Sequence, residues 1–192
     1  MVSLNNKSFG GAFLLEKINY SHNKPIDIKD GFVNGQGTGA VSALRYGFFP
    51  MSYNGCEIIA AYNFLKLEGR NAFSLAEIAR DMYKEVWAFC GLLGSNVYRA
   101  AHFFKKHGIP LERTLSYDAF FDALDSSKHG ILSFWNACHP FRGVHTVCIE
   151  RIDGGYRIYN RSNMKTKPCE YKTREEVTEK CRFMCGYFIP RD

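Results

Sequence analysis

From Cys56 to Leu67 the chain is apolar almost all the way round: only Glu57, Asn63 and Lys66 interrupt Ile58, Ile59, Ala60, Ala61, Tyr62, Phe64 and Leu65. A helix without a polar face belongs in the interior, so this segment predicts the central helix of the fold. Ala60 and Ala61 leave room for a sheet to approach, and Glu68-Gly69 supplies a glycine stop. Its start is as informative as its body. Asn54-Gly55 makes a turn, and Cys56 then falls in the first helical turn, where unsatisfied N–H groups and the positive end of the helix dipole favour a thiolate. The expected pKa of Cys56 lies below the free value of about 8.5, the setting a nucleophile needs. An ordinary core thiol is the alternative, since cysteine is among the most buried residue types.

The chain has 192 residues and no Pro-rich or Ser-rich linker, which predicts a single domain over residues 1–192. A hydrophobic content of 46% with 15% aromatic residues excludes general disorder. No apolar run of about 18 residues is present to cross a bilayer, so no membrane association is expected. The first residues carry no apolar signal-like stretch, which predicts a cytoplasmic location. The formal charge of +6 is scattered apart from Arg161, Lys165, Lys167 and Lys172. Without a dense basic stripe interleaved with aromatic residues, nucleic acid is not an expected partner. The seven cysteines are odd in number and lack the spacing of a small disulfide scaffold, which favours reduced thiols. Cys169 and Cys181-x-x-x-Cys185 have no CxxC pair or histidine cluster beside them, so neither a metal nor a cofactor is expected.

Residues 1–50 are rich in Gly and aromatic residues, with one strand expected over 12–18 and a loop over 31–39; the segment should wrap the front of the domain. Residues 56–125 read as mainly helical. Ser74-Leu75-Ala76-Glu77 is a capping box opening a helix through about Lys84. Ser95 caps an expected helix over 96–107, stopped by Gly108 with Pro110 beyond, and Ser116 caps a shorter one with Phe120, Phe121 and Leu124 on its apolar face. After Gly130 the pattern changes to strands, over 131–135 and 144–152. Asp153-Gly154 predicts a type I′ hairpin turn returning through 156–160. A helix from Thr173 to about Lys180 and a strand over 182–189 follow. Helices first, then an antiparallel sheet over 131–190, make the fold class α+β.

A two-residue turn at Asp153-Gly154 sets Ile152 against Gly155, Val147 against Asn160 and His145 against Ser162. His145 and Asn160 then share a face as diagonal neighbours, with Cβ atoms roughly 6 to 8 Å apart. A three-residue turn instead brings Asn163 opposite His145 as the orienting residue. A helix-start cysteine, a strand histidine and an amide on the next strand is the order required of a nucleophile, its base and the group that orients the base. Thiolate and imidazolium stabilise each other, so such a pair is expected to be charged near neutral pH. A hydrogen-bonded core histidine is the plainer reading of His145 alone.

Asn54-Gly55-Cys56-Glu57 before an Ala-rich apolar helix, the Lys105-Lys106-His107-Gly108-Ile109 turn, Gly130-Ile131-Leu132, and His145-Thr146-Val147 with Asn160 after a hairpin resemble papain-like cysteine peptidases. The branch most resembled is that of the bacteriocin-leader-processing, double-glycine peptidases and their stand-alone bacterial relatives. The likeness covers residues 50 to about 190. It implies a papain-like fold, thiol-dependent cleavage of a peptide or amide, and Cys56 as nucleophile, His145 as general base and acid, and Asn160 where relatives often have Asp. Relatives place an oxyanion-binding glutamine about six residues before the cysteine, where this chain has Pro50. Asn54, Ser52 or Gln36 is then expected to supply a donor beside the Cys56 N–H. Acyl transfer through the same thioester, and a non-catalytic binding module that keeps the cleft, are the competing expectations. Gly10-Gly11 resembles the dipeptide such enzymes cut; a flexible turn is its simpler reading.

Overall fold

An antiparallel sheet with helices on both faces organises the chain. The structure is a computed structural model that describes residues 7–26, 28, 31–86, 96–136 and 143–191. Among the described residues six strands, β3 (Glu112–Thr114), β4 (His129–Trp135), β5 (Val144–Ile152), β6 (Gly155–Tyr159), β7 (Cys169–Tyr171) and β8 (Arg182–Phe188), pair in the order β3-β8-β4-β5-β6-β7. Every ladder is antiparallel. A second, two-stranded hairpin joins β1 (Arg45–Tyr46) to β2 (Phe49–Pro50). The helices are α1 (Lys7–Asn23), α2 (Met51–Asn54), α3 (Cys56–Leu67), α4 (Leu75–Val86), α5 (Ala100–Lys106), α6 (Tyr117–Ser127) and α7 (Arg174–Thr178). The fold class is α+β.

Strand alternation sorts the core into two layers. On one face α3 is buried from Glu57 to Leu65 and packs with Ile131, Cys148, Tyr159, Cys185 and Tyr187. On the other, Phe120, Phe121 and Leu124 of α6 meet Leu132, Phe134, Val147, Ile149 and Ile158. Glu57 and Asn63, read from sequence as interruptions, are buried as well. Asn63 fits because its carboxamide makes two 2.8 Å bonds to the Val33 backbone, tying the N-terminal segment to the central helix.

Local signals hold where their partners are local. The Ser74 hydroxyl accepts the Glu77 N–H at 3.2 Å and the Glu77 carboxylate accepts the Ser74 N–H at 2.8 Å, the reciprocal capping box. Ser116 and Thr173 cap α6 and α7 in the expected way. Three expectations are corrected. The strand over 12–18 lies within α1, because a short apolar run does not distinguish strand from helix. Moreover α1 docks through polar groups: Asn19 Nδ2 donates to Gly47 O, and Asn23 both donates to Arg45 O and accepts from Arg45 N, each at 2.8 Å. Gly10-Gly11 falls inside this helix. The helix over 96–107 begins at Ala100, since Asn96 Oδ1 captures the Tyr98 N–H in a preceding turn; the expected cap Ser95 lies outside the described residues. Finally, Ile152 does pair with Gly155, but positive φ falls on Gly154 alone (78°), so the turn is not type I′ and has the φ signs of type II.

Candidate active site

The site is assembled at one end of the sheet, where β6 parts from β5. Their ladder runs from Ile152↔Gly155 to Cys148↔Tyr159 and stops there, leaving residues 144–147 of β5 without a β6 partner. On that bare stretch Thr146, whose hydroxyl is 2.9 Å from Ser133 Oγ, lies against Cys56, its N–H and hydroxyl both favouring the thiolate.

Cys56 is delivered by a tight junction. The four-residue α2 ends at Asn54, the Gly55 N–H bonds Met51 O at 2.9 Å, and α3 starts at Cys56 with Ile59 N bonded to Gly55 O at 3.0 Å. Only glycine fits at position 55, because a Cβ there would overlap the Met51 side chain. The helix N-terminus expected around the cysteine is therefore present, but its electrostatic consequence is not. Burial pushes the Cys56 thiol up to about 11, overriding the N–H donors of Thr146 and Glu57, and the adjacent Glu57 carboxyl pushes the same way.

His145 is also held neutral. Its Nε2 lies 2.8 Å from Asn160 O. A carbonyl only accepts, so Nε2 carries the proton and Nδ1 keeps its lone pair. Burial, with Arg161 contributing, depresses the ring to about 4, although the Asn160 bond opposes this. The expected thiolate–imidazolium pair is corrected accordingly: desolvation favours thiol and imidazole over two charges.

Asn160 orients the ring through its main chain and not through its carboxamide. The hairpin keeps the expected register only as far as Cys148↔Tyr159; the expected pairs Val147 with Asn160 and His145 with Ser162 do not form, and Asn160 has φ of 60°, which breaks alternation and turns the side chain to the other side. Its Nδ2 donates to Gln36 Oε1 at 2.7 Å and its Oδ1 accepts the Gln36 N–H at 3.1 Å, while its own N–H bonds Asn34 Oδ1 at 2.8 Å. Asn163, the alternative orienting residue, donates to Ser52 O at 3.0 Å.

The oxyanion candidates are brought near the cysteine but are turned elsewhere. Gln36 Nε2 donates to Ser52 O at 2.9 Å and Met51 O at 3.4 Å, and Asn54 Nδ2 donates to Tyr46 O at 2.7 Å. Ser52 is half-buried and takes part through its carbonyl.

Cys56 and His145 are thus neighbours through Thr146, with no hydrogen bond between them, and strand alternation turns the ring away from the side of β5 that Cys56 meets. The sulfur lies against the residue next to His145, whereas the ring lies on the Phe134 side of β5, with the two ring centroids 5.7 Å apart. Thr146 is the residue that the sequence reading missed. Strand alternation held the signal: if His145 and Val147 share one face, Thr146 and Cys148 share the other. Among the described residues no cluster of His, Cys, Asp and Glu is arranged to hold a metal, and no helix is long and apolar enough to cross a membrane. Comparison with known proteins gives no match, either to a family model or to a curated sequence.

Proposed function

We propose that the protein is a papain-like thiol hydrolase that cleaves a peptide or amide bond, with Cys56 as nucleophile and His145 as base. One observation carries the reading. Cys56 Sγ lies against Thr146, the residue that follows in sequence a histidine whose Nε2–H is pinned by a carbonyl, leaving Nδ1 as the basic nitrogen. This is general-base chemistry from a neutral pair. When the sulfur leaves Thr146 and turns to Nδ1, the ring takes the thiol proton as sulfur adds to the substrate carbonyl. Collapse of the tetrahedral adduct returns that proton to the departing amine and leaves a thioester, which water, activated by the same ring, hydrolyses. An amine in place of water gives the acyl-transfer variant. Donors for the oxyanion are the Cys56 N–H and a carboxamide from Gln36 or Asn54, released from its resting partner on binding.

A second reading, a non-catalytic binding module on the same fold, is favoured by the raised thiol pKa and by the absent Cys56–His145 hydrogen bond. Turnover of a pooled library of short peptides, followed by mass spectrometry, separates the two. Hydrolysis by the wild type that disappears in Cys56→Ala and in His145→Ala is the expected result. Cleavage that persists in Cys56→Ala, or its absence in the wild type, overturns the hydrolase reading.

A further inference from the structure

We propose that Arg161 is the receptor for a carboxylate on the substrate, so that the hydrolase reading above, on which this inference rests, acquires a substrate class: acidic peptides or amides. The left-handed backbone at Asn160 sends the carboxamide of that residue toward Gln36 and the next side chain, Arg161, toward the opposite face of the sheet. There the guanidinium stacks on Phe134, with Cζ 4.7 Å from the ring centroid. The same ring contacts His145, so Arg161 and the histidine flank one aromatic plate. Arg161 is also near enough for its charge to act on the His145 ring.

Arg161 is poorly matched to its own surroundings. An arginine head offers five N–H donors in a planar fork suited to a carboxylate. Arg80, Arg151, Arg157, Arg174 and Arg191 each meet Asp or Glu oxygens within 3.6 Å. Arg161 meets none among the described residues. Among the described residues, its hydrogen bond is from Nη2 to Cys181 Sγ at 3.6 Å, a weak acceptor, and its buried Nε meets no acceptor. A buried donor left without a partner is costly, and a charged one more so. The residue is nonetheless half-buried and not sealed, which leaves an approach for a ligand. A cation prepositioned on an aromatic face beside the base, with unused donors, is the arrangement that an incoming carboxylate completes.

The test uses acetylated, amidated hexapeptide libraries that differ only in Glu or Gln at one fixed position, on the full chain. The wild type should show a lower KM for the Glu library, with kcat similar for the two. Arg161→Gln should raise KM for the Glu peptides roughly 10- to 100-fold, the loss of a charge-assisted pair, with no matching rise in KM for the Gln peptides, while any change in kcat through His145 is common to both libraries. Arg161→Lys, which keeps the charge but not the fork, should recover part of that loss. Equal KM for both libraries, or an equal rise in KM for both in Arg161→Gln, overturns the proposal and leaves the hydrolase reading standing. Calorimetric titration of Cys56→Ala with the same libraries isolates binding from chemistry. Preference for Glu that Arg161→Gln removes, without turnover by the wild type, upholds the carboxylate receptor and sinks the hydrolase. No preference in that titration overturns the receptor.

Discussion

Cys56 and His145 each carry a shifted pKa of opposite direction, and both shifts keep the two groups uncharged. With the thiol pushed up to about 11 by burial, the thiolate is a small minority at pH 7. Alkylation of Cys56 by iodoacetamide should therefore be slow near neutrality and accelerate about tenfold per pH unit up to about 11, read by mass spectrometry of the labelled peptide. A rate that levels off near pH 7 contradicts the burial argument. His145 works in the acid range. Its folded value of about 4 lies below the ordinary 6.5, so the unfolded chain takes up the proton first. The resulting stability is fully present above pH 6.5 and is lost as the pH falls through 4, an effect of about 3 kcal/mol at most. Urea denaturation of the wild type should show that loss, and His145→Gln should flatten it. The acid limb of turnover should sit near 4 for the same reason, because the base must be neutral to act.

The junction between α2 and α3 concentrates its risk at one residue. Gly55→Ala places a methyl group into Met51, which fully fills its own space, so either α2 or the start of α3 must shift. A loss of about 1 to 3 kcal/mol is expected in denaturant unfolding, with slowed turnover because Cys56 moves with its helix. Ser116→Ala provides the contrast at a distant helix: it removes the cap on the Ala119 N–H and should cost about 1 kcal/mol without touching the site. Elements of this kind were legible in the sequence because their determinants lie within four residues, as with Ser74 and Glu77. The all-apolar surface of α3 announced its central place for a similar reason. Helix α1 was not legible. Its buried positions include Glu16, Asn19 and Asn23 while Leu14 and Ile18 are exposed, the reverse of the usual amphipathic pattern, and its anchors are carbonyls 22 to 28 residues away.

At the scale of the molecule, the hairpin register was readable from Ile152↔Gly155 to Cys148↔Tyr159, but the pairs expected beyond it, Val147 with Asn160 and His145 with Ser162, do not form. The direction of the Asn160 side chain was not readable either. Its positive φ is an option open to asparagine but is fixed here by Asn34 and Gln36, more than 120 residues away in the chain. The same distance gives a test: Gln36→Ala and Asn160→Ala should be non-additive, with a coupling of about 0.5 to 3 kcal/mol in a double-mutant cycle. Simple additivity means that the two loops do not act together.

Asn160 faces two ways, and its carbonyl is the clamp on the imidazole proton. The loop around Gln36, at the opposite end of the sequence from the sheet, is thereby made guardian of a tautomer. Clipping away or displacing the first forty residues would leave the sulfur on its helix and the ring on its strand, yet free the ring to flip and offer the wrong nitrogen.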